Sequence, residues 1–192
     1  WQGILTRLRG ADAVLDAVEQ LQGAPIAASI LEADVLPARV AHYDPADLDA
    51  VMAAGEVVWV GLEPVGERDG RLALYLADDL PRLLPPDGSR GARAGGTRGS
   101  PHDTARQTAI IAALEAGGAS FFGPLHEAAG GGYPDETVQA LWELAWRGVV
   151  TNDTVRALRA FMRAAAPRHR VRKSGTAAFR SRPLAPPSAE GR

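Results

Sequence analysis

The chain contains no cysteine. This excludes disulfide frameworks and thiolate metal sites and fits a reducing compartment. No run approaches the roughly 18 apolar residues needed to cross a bilayer, and no signal-peptide pattern opens the sequence. A membrane partner is therefore not expected, and a cytoplasmic location is. Histidine occurs four times, as His42, His102, His126 and His169, without partners at ligand spacing. His126-Glu127 begins like a zinc-hydrolase helix, but Gly130 stands where the second histidine must be, and one imidazole cannot hold zinc. No metal site is expected. The glycine-rich stretch Gly91–Gly99 lacks the Lys-Ser/Thr pair of a phosphate loop and follows no strand, so it reads as a linker. Asp47 and Asp49, two apart on a helix, diverge and cannot act as a pair. No Ser-His-Asp set follows from spacing. No catalytic residue and no bound cofactor are expected.

The composition is that of a soluble globular protein, with 46% hydrophobic and 23% charged residues in a length of 192, enough for one or two small domains. Opening on Trp1 rather than Met, the sequence reads as a piece of a longer protein. Its net charge of −2 conceals a division. From Arg163 onward eight basic residues face one acid, Glu190, which leaves 13 basic against 22 acidic residues upstream, or −9. Nucleic-acid binders usually present a basic face, so the upstream part gives little electrostatic support for gripping DNA alone.

Hydrophobic spacing predicts two helix-rich units. In the first, residues 9–84, a helix over Asp12–Gln22 carries Val14, Leu15, Val18 and Leu21 on one face, with Gly23 as its stop. One or two helical turns fit Ala27–Leu36 before Pro37. A third helix has Asp44 as N-cap, Pro45 in its first position and Leu48, Val51 and Met52 inward. A β-branched and aromatic strand follows over Glu56–Leu62. Asp69-Gly70 reads as the hairpin turn and Arg71–Leu76 as the return strand. Three helices and a hairpin form the order of a winged helix.

Residues 85–99 read as a Gly/Pro/Arg linker. The second unit, 100–165, is expected to start a helix at Ser100-Pro101, then one through Leu125–Ala129. A third helix begins after Tyr133-Pro134 with Val138, Leu141, Trp142 and Ala145 inward. A short strand over Val149–Thr151 and a last helix from Asp153 complete it. Trp142 and Trp146, four apart, could form a base-stacking platform, but helical spacing beside Leu141 and Ala145 favours core. Residues 1–8 are taken as the end of a preceding module, and 166–192 as a disordered basic tail. The fold class expected is mainly α with small β-hairpins (α+β), in tandem winged-helix-like domains.

Several stretches resemble the C-terminal region of the large helicase-related (Lhr) proteins. They are Leu8-Arg9-Gly10 with Leu15–Leu21, Val35–Val40, Tyr43–Asp49, Gly55–Gly61 and Leu141–Thr154, together with Trp1-Gln2-Gly3 at the start. The resemblance covers roughly residues 1–165. It implies a parent similar to an ATP-dependent 3′-to-5′ DNA helicase in DNA repair. ATP and Mg belong only to motor domains outside this sequence, and DNA is the implied partner. It also implies homo-oligomerisation through the parent's C-terminal region as a further contact. The reading is of an accessory segment that positions nucleic acid by backbone contacts. The candidate contacts are Arg68, Arg71, Arg147, Arg168, Arg170, Arg172, Lys173, Arg180 and Arg182. A protein-interaction or oligomerisation module is the first alternative. Part of a DNA-glycosylase-like C-terminal region is the second.

Overall fold

A computed structural model describes residues 9–84 and 103–163. The first unit begins with α1 (Gly10–Leu21), whose Val14, Val18 and Leu21 are buried beside Ala13 and Ala17. Gly23, at φ +73°, ends this helix, and its N–H donates to the Leu74 carbonyl. A strand β1 (Ile26–Ala27) follows, then the short helix α2 (Ala28–Ile30) and a π-helical turn over Leu31–Val35. The two residues of β1 are too few to show alternation, so the sequence gives no sign of this strand. Helix α3 (Pro45–Ala53) starts as its cap chemistry dictates. The Asp44 carboxylate accepts from the Ala46 N–H at 2.9 Å, and Leu48, Val51 and Met52 point inward.

Strands β2 (Val57–Val65) and β3 (Asp69–Leu76) form the hairpin, and β1 adds to β3, giving the antiparallel order β1-β3-β2. The hairpin turn is Gly66-Glu67-Arg68, not Asp69-Gly70, because Asp69 already pairs with Val65. The Asp69 carboxylate instead accepts from the Ser29 N–H and hydroxyl at 3.1 and 2.6 Å, tying the wing to α2. A bulge between Gly61 and Glu63 leaves Leu62 unpaired. One sheet face, with Val57, Trp59, Leu72 and Leu74, enters the main core beside α1 and α3. On the other, Val60, Ala73 and Tyr75 lie under Leu80 of the one-turn helix α4 (Leu80–Leu83) and under Leu84.

Helix α5 (Ala105–Gly117) is capped by Thr104. The expected start at Ser100-Pro101 lies outside the described residues, and the cap that forms uses the Thr-x-x-Gln pattern. Thr104 accepts from the Gln107 N–H, and Gln107 Oε1 accepts from the Thr104 N–H, so two otherwise orphaned donors are satisfied reciprocally. Helix α6 (Phe122–Ala128) leads through Gly130-Gly131-Gly132 to α7 (Pro134–Trp146), and α8 (Arg156–Arg163) closes the described chain. The expected strand at Val149–Thr151 does not form. Val149 and Val150 are covered by the second core, and the Thr151 hydroxyl donates to the Trp59 carbonyl at 2.5 Å. The Val149 N–H also donates to the Leu144 carbonyl at 3.0 Å, so the segment finds partners without a partner strand. The last helix begins at Arg156 rather than Asp153, after Asn152 accepts from the Thr154 N–H.

The inner face of α7 is broader than its hydrophobic spacing suggests. Ala140 and Leu144 pack with Ile110 and Ile111, while Trp142, Ala145 and Trp146 pack on the first unit's sheet. Val138 and Leu141, expected inward, are only partly buried, whereas Thr137 beside Val138 is fully buried. One helix thus serves two cores. The fold class is mainly α with a small antiparallel sheet, an α+β winged-helix fold.

Candidate nucleic-acid interface

The described residues hold ten arginines and no lysine against 21 aspartates and glutamates, a net charge of −11. The remaining residues hold 11 basic residues against Asp87 and Glu190, a net of +9. Six of the ten arginines are held in ion pairs: Arg71, Arg82, Arg106, Arg147, Arg156 and Arg159. An arginine already paired gains less from a phosphate, because it must first give up a carboxylate.

The candidate contacts therefore differ in environment. Arg68 stands in the β2–β3 turn and forms no ion pair among the described residues. Arg71, two residues into β3, reaches across the hairpin to Glu63, with both side chains about half exposed. Arg147, at the C-terminal end of α7, donates to Asp103 at 2.6 Å, where their side-chain exposures are 20% and 2%. Its charge answers a buried carboxylate and anchors the start of the second unit. Arg168, Arg170, Arg172, Lys173, Arg180 and Arg182 lie outside the described residues.

In a helix-turn-helix arrangement the second helix of the motif lies in the DNA major groove. The third helices of both units are poorly suited to this. Helix α3 shows solvent Pro45, Ala46, Ala50 and Ala53 flanked by Asp44, and none of these side chains can donate to a base edge or phosphate. Helix α7 is covered on two sides. The hairpin that would act as a wing is covered too. A Cβ built on Gly61 would lie 2.0 Å from the Ala145 carbonyl oxygen, and one on Gly70 2.5 Å from the Trp146 ring. Glycine at both positions lets α7 press onto the sheet.

This joint is aromatic. Trp59 stacks on Trp142 at 6.3 Å and 25°, and Phe161 of α8 stacks on Trp142 at 4.4 Å and 29°. Trp146 lies against Phe161 at 5.8 Å. With exposures of 7% for Trp142 and 4% for Trp146, both rings are core and present no stacking face to a base.

A polar clasp sits beside it. Arg159 donates from Nε to Glu32 at 2.6 Å, from Nη2 to Glu32 at 2.8 Å and from Nη1 to Asp49 at 2.9 Å. Tyr43 donates its hydroxyl to the same Glu32 at 2.6 Å. The Glu32 hydrogen bond holds the guanidinium above its ordinary pKa, outweighing the opposing effect of burial. Burial, reinforced by the hydrogen bond to Glu32, raises the Tyr43 phenol well above its ordinary value. Arg159 was not legible as a site residue, because its partners lie 127 and 110 positions away.

No chemistry of bond-making emerges from these groups. Asp103, Glu32 and Asp49 are carboxylates held by arginines. His126 shares a hydrogen bond with Thr137 at 2.8 Å and stacks on Phe122. Arg106 bridges the carbonyls of Ala129 and Gly131 to Thr137 and Glu136, fixing the triple-glycine turn. Among the described residues no three His, Asp or Glu side chains gather to hold a metal, and no helix is long and apolar enough to cross a membrane.

Residues 1–77 match the winged-helix domain of the large helicase-related proteins. The chain is 41% identical over 179 residues to a Lhr helicase/probable uracil glycosylase of Mycolicibacterium smegmatis, covering 90% of this chain and 11% of that protein. It is 34% identical over 180 residues to the Lhr helicase/uracil glycosylase of Escherichia coli, covering 91% and 11%. The chain spans about a tenth of the length of these relatives.

Proposed function

The chain belongs to the C-terminal region of the large helicase-related family, and on that premise we propose that it is an accessory, non-catalytic segment that positions nucleic acid for the motor. The motor's ATP-driven 3′-to-5′ DNA unwinding in repair, with its ATP and Mg, and a cytoplasmic location are parts of the same proposal. One observation carries it. The folded body is acidic and its wing and α7 are packed against each other, whereas the cations sit at Arg68 and in the basic segment from Arg168 to Arg182. Contact is then made to phosphates, without base readout. Arg68 and the segment arginines are the favoured contacts, Arg71 a weaker one, and Arg147 a structural residue.

Titrating labelled single-stranded and duplex oligonucleotides of two unrelated sequences at about 50 and 200 mM salt tests this. The expected result is binding that ignores sequence and weakens steeply with salt. Absence of saturable binding at the lower salt rejects it.

A protein-interaction reading is favoured by two exposed aromatics at the starts of α6 and α7, Phe121 at 61% and Tyr133 at 77%. Sedimentation of the chain as a stable oligomer indifferent to DNA would support that reading instead. We assign the uracil glycosylase named in both relatives to parts of those proteins beyond this segment. Uracil release from DNA by this chain alone would overturn that assignment.

A further inference from the structure

We propose that the groove between the wing turn and α7 binds the chain's own basic segment, Arg168–Lys173, in cis. The groove holds about 530 Å³. Glu67 and Arg68 of the turn form one wall, and Asp135, Gln139 and Glu143, spaced by four along α7, form the other. Edges of Trp142, Trp146 and Phe161 make its floor. Three carboxylates therefore face one guanidinium. The Glu143 oxygens accept from the neutral amides of Gln107 and Gln139, at 2.7 and 3.0 Å, so among the described residues no cation offsets this charge. Nor do Glu67 and Asp135 form an ion pair there. A groove with carboxylates on both walls suits guanidinium groups, each of which can donate two parallel hydrogen bonds to one carboxylate.

Position selects the occupant. Phe161, at the floor, stands two residues before α8 ends at Arg163. Arg168, Arg170, Arg172 and Lys173 follow within ten residues of that end, and ten residues can reach about 33 Å. A ligand tethered this closely has an effective concentration on the order of millimolar, so it outcompetes an untethered segment of the same chemistry. The charges match as well, a body of −11 against four cations in six residues. This inference does not depend on the nucleic-acid reading.

Because the chain has no cysteine, Ser174→Cys gives a unique attachment point for a spin label in the full 192-residue chain. At low salt the label is expected to broaden the amides of Arg68, Val138 and Gln139 several-fold more than those of Asp12 and Asp16 on α1. The effect should persist on dilution. It should vanish in about 1 M salt, where charges are screened beyond roughly 3 Å, and in the double variant E67K/D135K, whose changes fall on exposed positions. Broadening no stronger at the groove than on α1 would overturn the proposal, as would broadening that survives charge reversal. Broadening that grows with protein concentration would assign the contact to a second copy and overturn it equally.

Discussion

At the scale of single residues, the sharpest constraints come from atoms that are missing. Gly61 has no side chain because the Ala145 carbonyl occupies that space, and backbone cannot turn aside as a flexible side chain can. Gly61→Ala is expected to lower stability by about 1–3 kcal/mol through overpacking, seen as a lower urea midpoint. An unchanged midpoint would mean that β2 and α7 are not pressed together in solution. The clasp makes a second prediction. Tyr43 is protonated in the folded state at pH values where the unfolded phenol ionises near its ordinary value of about 10. Its contribution is therefore complete below that pH and is lost as pH rises above it. Tyr43→Phe is expected to flatten the fall of stability above pH 10 in alkaline denaturation curves. A third concerns charge. Arg68→Ala is expected to weaken oligonucleotide binding more than Arg71→Ala, since only Arg71 is already held by a carboxylate. Equal losses would show that the Glu63 pair does not matter. Arg68 and Arg71 were legible as candidate contacts, but the clasp and the close approach were not: Arg159 looks like any helix-surface arginine, and Gly70 like a turn glycine. Gly70 is required because a tryptophan ring approaches it, which only tertiary packing reveals.

At the scale of elements, features governed by neighbours in the chain were legible, and those governed by distant partners were not. Asp44-Pro45 sets the start of α3 by a cap and a pre-formed φ, both local, and the helix begins there. The cap of α5 was also local, in Thr104 and Gln107, but Ser100-Pro101 offers a competing signal of similar form. Thr104→Ala is expected to cost about 1 kcal/mol, measured as a shift in the thermal midpoint. A neutral result would place the true start upstream. Strand β1 exists because β3 offers an unpaired edge, a fact invisible in two residues. Val149–Thr151 has strand propensity, yet propensity measures fit to a half-buried surface, and the second core supplies such a surface without a ladder. The turn lies before Asp69 because Asp69 pairs with Val65, and its carboxylate then bonds to Ser29, which no local rule anticipates. Helix α7 was legible as a helix but not as one serving two cores, because Ala140 and Leu144 look ordinary beside two tryptophans.

At the scale of the whole molecule, the charge division was already visible in the sequence, and the structure sharpens it. An acidic body of joined helical units carries arginines that mostly answer its own carboxylates, while the larger share of the basic charge lies in the residues outside that body. A body of this kind repels a phosphate backbone, so any grip on DNA must be electrostatic and local. The slope of log K against log salt for a short duplex therefore separates the possibilities. Changing Arg168, Arg170, Arg172 and Lys173 together to alanine should reduce its magnitude by about 3–4, near 0.9 for each phosphate no longer neutralised. An unaltered slope in that variant would contradict a phosphate grip by Arg168, Arg170, Arg172 and Lys173.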